Sequence, residues 1–198
     1  MNSRETYDRF APRYDDTMRP LDRWFLARLR QQTLNLLPEN ARILEVGAGT
    51  GRNFVFYPAG TSGVASEPSQ GMLNIAKDRK RPPAVTLVQS EAEQLPFQNA
   101  SFDAAFATLV FCSVTSPQKA FAELQRVVKS GGTVLLLEHV RPPGLFGLLC
   151  DAINLVTCPL FGDHFNRRTA DLARAAGLHL LKVESSFGGI INLIACRV

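Results

Sequence analysis

Cysteine is scarce in this chain of 198 residues, and its four copies, Cys112, Cys150, Cys158 and Cys196, form no C-x-x-C pair. That excludes the usual spacing of a zinc site or a dithiol redox pair and leaves free thiols packing as small hydrophobes in a reducing compartment. Long apolar runs are missing too. No uninterrupted stretch approaches the roughly 20 residues of a membrane-spanning helix, and the nearest, Leu145 to Phe161, is broken by Asp151, Asn154, Thr157 and Pro159. Met1 to Phe10 is polar and lacks the apolar core of a signal peptide, so a cytoplasmic chain is expected. Charge of one sign is nearly absent: 22 Lys and Arg stand against 18 Asp and Glu, a net +4. Unless clustered, that is too little to hold a nucleic-acid backbone, and no nucleic-acid partner is expected. There is no internal repeat and no low-complexity tract.

What is present suits a single domain with a large core, since 45% of the residues are apolar and 20% charged. Short β-rich runs alternate with helical patterns, which predicts an α/β fold with a mostly parallel sheet and helices on its faces. The runs are Ile43–Val46, Gly63–Ser66, Ala84–Val88, Phe102–Val110, Thr133–Leu137, Leu178–Glu184 and Ile190–Cys196, seven strands in all. Pro117 to Val128 has a helical apolar stripe, expected to stop at Gly131-Gly132, and Arg168 to Ala176 is a second helix closed by Gly177. Before the first strand lie two more helical patterns. In one, Tyr7, Phe10, Ala11 and Tyr14 share a face, although Pro12 weakens a continuous helix. In the other, Leu21, Trp24, Phe25, Leu29 and Leu36 make an apolar stripe that is ordinarily core packing.

The first strand runs into Glu45-Val46-Gly47-Ala48-Gly49-Thr50-Gly51. Alternate glycines let a ligand approach the backbone closely. Position 52, where a dinucleotide-binding G-x-G-x-x-G would carry its third glycine, is Arg, and no G-x-x-x-x-G-K-[ST] occurs. An acid just before the loop would repel pyrophosphate and attract an ammonium, so a cationic cofactor is expected.

This loop resembles the glycine motif of the class I S-adenosylmethionine-dependent methyltransferases. Glu67-Pro68-Ser69-Gln70-Gly71-Met72 is similar to that family's acid-x-Ser-x-x-Met, Ser90-Glu91-Ala92-Glu93-Gln94-Leu95-Pro96-Phe97 to its G-D-A-x-x-L-P-F, and Leu124 to Gly132 to its L-x-R-V-L-K-P-G-G. The resemblance implies a Rossmann-like seven-stranded sheet with an N-terminal helical cap (1–40), a cofactor core (43–140), a hydrophobic lid after the fifth strand (141–170) and C-terminal strands (171–198). It implies S-adenosylmethionine as cofactor and no metal. By it, Gly47, Ala48 and Gly49 wrap the methionine moiety with Glu45 nearby, Glu67 takes the ribose hydroxyls within the Glu67-Pro68-Ser69 turn, and Met72 lies against the adenine. Ser90, Glu91 and Ala92 would face the adenine ring, and Thr108 the sulfonium.

Tyr7-Asp8-Arg9-Phe10-Ala11-Pro12-Arg13-Tyr14-Asp15 is similar to the entry segment of the ubiquinone/menaquinone C-methyltransferase-like subgroup, making Tyr7 and Tyr14 candidates for closing the site or merely for packing the helix. Glu138-His139-Val140-Arg141 and the segment Phe161 to Thr169 resemble a mixed branch of phospholipid N-methyltransferases and membrane-associated thiol methyltransferases. There, His139 or His164 could act as base, Tyr14 could orient the nucleophile, and Arg167 with Arg168 could hold a lipid phosphate. Each also has an ordinary structural explanation. Leu145, Leu148, Leu149, Ala152, Ile153 and Val156 form one face of a helix expected over the site, either completing the core or meeting a lipophilic substrate. The charge excess lies in 1–42 and 141–198, while 43–140 is balanced. The expectation is therefore a monomeric enzyme touching an anionic membrane surface from its flanks and methylating a lipophilic acceptor, phosphatidylethanolamine before a quinone precursor or a small thiol, with a non-catalytic cofactor-binding domain as the non-enzyme alternative.

Overall fold

The computed structural model describes residues 3–142, 144–161, 163–164 and 166–198. Helix α1 (Ser3–Leu21) leads through a π-helical turn (Asp22–Leu26) into α2 (Ala27–Leu34). Strands β1 (Arg42–Val46), β2 (Ser62–Ser66), β3 (Val85–Val88) and β4 (Phe102–Thr108) follow, with α3 (Gln70–Lys77) between β2 and β3. Then come α4 (Pro117–Val127), β5 (Val128–His139), α5 (Leu145–Phe161), α6 (Thr169–Ala175), β6 (His179–Ser186) and β7 (Ile191–Arg197).

The seven strands form one sheet in the order β3-β2-β1-β4-β5-β7-β6. Only β7 runs antiparallel to its neighbours. The central strands are apolar on both faces because helices cover both: Ala104, Ala105, Phe106 and Ala107 of β4, and Leu135, Leu136 and Leu137 of β5, are all buried. Strand order reverses between β1 and β4, and such a switch point opens a crevice at the strands' carboxyl ends.

The structure corrects three expectations about these elements. Helix α1 runs unbroken through Pro12. It is pinned on both sides of the proline: the Asp8 carboxylate accepts from Ser69 Oγ at 2.6 Å and Gly71 N at 2.8 Å, and the Asp15 carboxylate accepts from Thr50 Oγ1 at 2.7 Å. The predicted apolar stripe is core only in part: Phe25 and Leu29 pack against the core, while Leu21, Trp24 and Leu36 are exposed, Trp24 to 84%. Leu26, Arg30, Thr33 and Leu34 are buried instead. A π turn takes up an extra residue and rotates every later position around the helix axis, so a uniform 3.6-residue period reads the wrong face. Finally, the helix before β5 ends at Val127, and β5 starts five residues earlier than the sequence pattern places it. Gly131 and Gly132 lie in a bulge where the β4 pairing jumps from Phe102↔Val128 to Ala104↔Thr133. Gly131 has φ +76°, and a Cβ on Gly132 would stand 2.7 Å from the Asp103 carbonyl oxygen.

The helix expected from Leu145 to Val156 is present as α5. Leu145, Leu148 and Ile153 are exposed on it, as is Leu155. The side chains of Leu149, Val156 and Phe161, and residues Gly162 and Phe165, lie outside the described residues. All four cysteines are free thiols, three of them buried. Among the described residues no helix is long and apolar enough to cross a membrane.

Candidate active site

A cavity of about 670 Å³ opens at the carboxyl ends of β1, β2 and β4. One wall is the glycine loop. Gly47 and Gly49 adopt φ +69° and +56°, and a Cβ on Gly49 would meet no atom within 4 Å, so the loop presents bare backbone to the cavity. Gly47 is pressed by the loop after β4: an added Cβ would lie 2.4 Å from Val110 Cγ2.

Glu67, at the end of β2, closes the next wall. Its carboxylate accepts from Gly49 N and Ser69 N, both at 2.9 Å, tying the glycine loop to the start of α3. Burial pushes this carboxyl up to about 7, against the pull of those two donors. Pro68, Met72, Ser90, Glu91 and Ala92 line the cavity beside it. The Ser90 hydroxyl is buried without a hydrogen-bond partner among the described residues.

Thr108, Leu109 and Val110 form the floor. Leu109 has φ +58°, a backbone conformation that costs a residue with a side chain on the order of 1 kcal/mol. The turn is held by Glu138, whose buried carboxylate accepts from Val110 N at 3.0 Å and Phe111 N at 3.2 Å. Burial lifts the Glu138 carboxyl to about 7. The Thr108 hydroxyl accepts from Arg30 Nη1 at 2.7 Å and Asn53 Nδ2 at 2.8 Å.

Helix α1 supplies the roof with Arg4, Tyr7 and Tyr14. It is clamped to the glycine loop by Arg52, which bridges Asp15 and Asp22. His164 reaches the cavity from beyond α5, its backbone N–H donating to the Cys112 carbonyl at 2.8 Å.

The sequence pattern of the family described as "Methyltransferase domain" matches residues 44–136. A demethylmenaquinone methyltransferase of Thermus thermophilus is 34% identical over 151 residues, 72% of this chain and 69% of that protein. The chain belongs to the S-adenosylmethionine-dependent methyltransferase family. Another demethylmenaquinone methyltransferase, from Renibacterium salmoninarum, is 37% identical over 69% of this chain, and a rat thiol S-methyltransferase 35% over 64%. These alignments span only 58% and 55% of those two relatives. Among solved structures, a Thermotoga maritima protein described as an S-adenosylmethionine-dependent methyltransferase, possibly a histamine N-methyltransferase, is 26% identical, with a TM-score of 0.78 and 99% of each chain covered.

The methyltransferase cavity fits the family's cofactor, S-adenosylmethionine. A bare glycine loop, an orphaned buried hydroxyl at Ser90 and carboxylates at Glu67, Glu91 and Glu93 suit a cation with hydroxyls better than a polyphosphate. Of the residues the motifs single out, Tyr7, Tyr14, Gly47, Gly49, Glu67, Pro68, Met72, Ser90, Glu91, Ala92, Thr108 and His164 converge on it.

Six do not. Glu45 is fully buried and takes hydrogen bonds from Asn53 Nδ2 at 2.5 Å and from the Tyr57 hydroxyl. It shares a sheet face with Ile43 two residues earlier, the face that Leu34 covers, so strand alternation turns it away from the cavity. Ala48 packs into a small core with Phe54 and Ala65. Ser69 is the N-cap of α3, accepting from Met72 N at 3.1 Å. His139 ends β5 opposite Ile191, and its imidazole is held low by burial. The two arginines part company. Arg167 donates its guanidinium to the Phe111 carbonyl, while Arg168 is exposed beside a separate hollow with Arg141 and Thr169.

Leu109 and Arg30 escape any motif, and Glu138 and Asp163 lie inside matched segments without having been singled out. An acid at a strand end was the legible sign for Glu138 and an acid beside His164 the sign for Asp163, while nothing local marks Leu109 or Arg30.

Proposed function

We propose that this chain transfers a methyl group from S-adenosylmethionine to a lipophilic acceptor met at a membrane surface, with the ethanolamine headgroup of phosphatidylethanolamine and its partly methylated forms first in line. The observation that carries the lipophilic part is α5. Leu145 is 82% exposed and Leu155 78%, on a helix that leads directly into His164 of the cavity. The excess of positive charge in the flanking segments favours peripheral contact with an anionic bilayer, at about 1 kcal/mol per well-placed residue.

The cofactor supplies an electrophilic methyl group on a sulfonium. The chain's part is alignment and exclusion of water. Gly47 and Gly49 would take the methionine end, Glu67 the ribose hydroxyls, and Met72, Ser90, Glu91 and Ala92 the adenine. Thr108 receives two hydrogen bonds from the protein, which leaves its own hydroxyl hydrogen to offer at the methionine end. Arg4 and Lys119 line the cavity, so they replace Arg167 and Arg168 as the cations for a lipid phosphate. The acidic side chains in the same cavity suit an amine.

The curated relatives favour a second reading: C-methylation of a prenylated quinone precursor, or S-methylation of a thiol. Methyl-labelled cofactor offered with phosphatidylethanolamine vesicles, with demethylmenaquinone in detergent and with 2-mercaptoethanol separates the three. Label in the phospholipid is the expected result. Label confined to the quinone or the thiol overturns the headgroup reading, and label in none overturns methyl transfer to this group of acceptors.

A further inference from the structure

The Tyr7 hydroxyl donates to the Asp163 carboxylate, 3.1 Å from one oxygen and 3.3 Å from the other. These residues lie 156 positions apart, one on α1 and one past α5, and they meet at the cavity. Tyr7 lines it, as does His164 next to Asp163, while the Cys112 carbonyl fastens His164 to the loop after β4. If the cofactor takes Met72, Ala92 and the glycine loop, an acceptor would meet the remaining lining, which includes Tyr7 and His164.

A phenol has one hydrogen to give. Because Tyr7 gives its hydrogen to Asp163, it can meet a cavity ligand only as an acceptor. We propose that Tyr7 and Asp163 form a proton relay for acceptors whose nucleophilic atom carries a hydrogen, X–H with X nitrogen, sulfur or oxygen. This rests on the methyl-transfer reading. As the X–C bond forms, the X–H bond breaks and its proton goes to Tyr7 Oη, while the proton already there goes to an Asp163 oxygen. The pair from the broken S–C bond stays on sulfur. A carboxylate thus becomes a neutral acid as a sulfonium becomes a neutral thioether, and the charges balance. Asp163 is only partly buried, so it can return its proton to solvent.

The surroundings suit a base. Burial raises the Asp163 carboxyl above its ordinary value, and the Tyr7 hydrogen bond and the Arg167 charge draw it partly back. Among the described residues Cys112, Glu138, Tyr14 and His164 are titratable groups around the pair, and Arg167 and Arg4 are the nearby cations. A carboxylate with a raised pKa accepts a proton more readily near neutral pH, and positioned bases of this kind contribute about 10²–10⁴-fold.

Two measurements test the relay. In a ¹³C NMR titration of the full chain without cofactor, one aspartate should titrate above the ordinary range and vanish in Asp163→Asn. Tyr7→Phe, which removes a hydrogen bond to the carboxylate, should move it higher still. An unmoved titration in Tyr7→Phe overturns the pairing whatever the activity. In the labelled-cofactor assay with the same three acceptors, each variant should lose about 10²-fold or more in kcat/KM, with unchanged cofactor Kd and no more than the modest fall in unfolding midpoint that one missing buried hydrogen bond brings, and Asp163→Asn should lose the acid limb of the pH profile. Wild-type rates and limb in both variants overturn the relay alone. No label with wild-type protein overturns methyl transfer to these acceptors and the relay with it, even where the titration still reports the hydrogen bond.

Discussion

Arg30 donates to the Thr108 hydroxyl at 2.7 Å, so a helix that precedes the sheet reaches the end of its central strand. The same guanidinium nitrogen donates to Asn53 Oδ1 at 2.8 Å, and Nε donates to Asp22 at 3.2 Å. Asp22 in turn pairs with Arg52 beside the glycine loop. The cap, the loop and the cavity floor therefore share one buried polar network.

Removing Arg30 should be felt in both stability and binding. The residue is 3% exposed; Asp22 would keep Arg52, but Asn53 Oδ1 and the Thr108 hydroxyl would each lose a charged donor in a buried site, at a cost of about 1–3 kcal/mol. Arg30→Met should lower the urea midpoint accordingly and weaken cofactor binding in calorimetry. Arg30→Lys should not restore it, since an ammonium cannot reach three partners with a planar fork. Wild-type stability in Arg30→Met would mean that the network is dispensable.

The unliganded protein should lose stability as pH rises through the window from 4.5 to about 7. Glu67 and Glu138 both have carboxyls raised from 4.5 to about 7. In that window the folded chain holds protons that the unfolded chain has released, so stability is fully present below 4.5 and declines toward 7. Thermal unfolding across pH should show this slope, and Glu138→Gln should flatten it. Because ribose hydroxyls donate best to an ionised carboxylate, cofactor affinity should rise as pH passes about 7 and should lose that dependence in Glu67→Gln.

Gly49→Ala separates folding from binding. Its φ of +56° disfavours a Cβ by about 1–2 kcal/mol, but no atom lies within 4 Å to clash. The variant should fold with a modestly lower unfolding midpoint, yet bind cofactor at least about tenfold more weakly, about 1.4 kcal/mol, because the new methyl group stands in the cavity. Unchanged calorimetric affinity would place the cofactor elsewhere.

Trp24 is the chain's one tryptophan and is 84% exposed. On anionic vesicles its emission should shift to the blue, as expected for an indole at a membrane interface. Replacing Leu145, Leu148 and Leu155 by Ser should reduce vesicle co-sedimentation while changing stability by only about 0.5 kcal/mol per exposed site. Equal sedimentation of the variant and the wild type would remove α5 from the membrane contact.

Much of the glycine-loop wall of the cavity was legible because its signals are local. Glycines directly after an apolar run and an acid at the end of the next strand each act within a few residues of themselves. The same holds for β4 and for Val134 to Leu137 of β5, whose two-sided burial writes apolar runs into the chain. The wall formed by segments after β5 was far less legible. His139 and His164 look alike as isolated histidines, yet only His164 reaches the cavity, and Arg167 and Arg168 are adjacent but face different surroundings.

By itself, then, the sequence determined the alternation of strands and helices, the glycine loop and the acid that follows it, because backbone conformation there depends on neighbours in the chain. The tertiary structure alone decided which side chains face the cavity. A π turn set the phase of the cap, sheet-face coverage turned Glu45 inward, and Tyr7 met Asp163 across 156 positions. Those outcomes depend on packing between segments far apart in the chain, which no local pattern encodes.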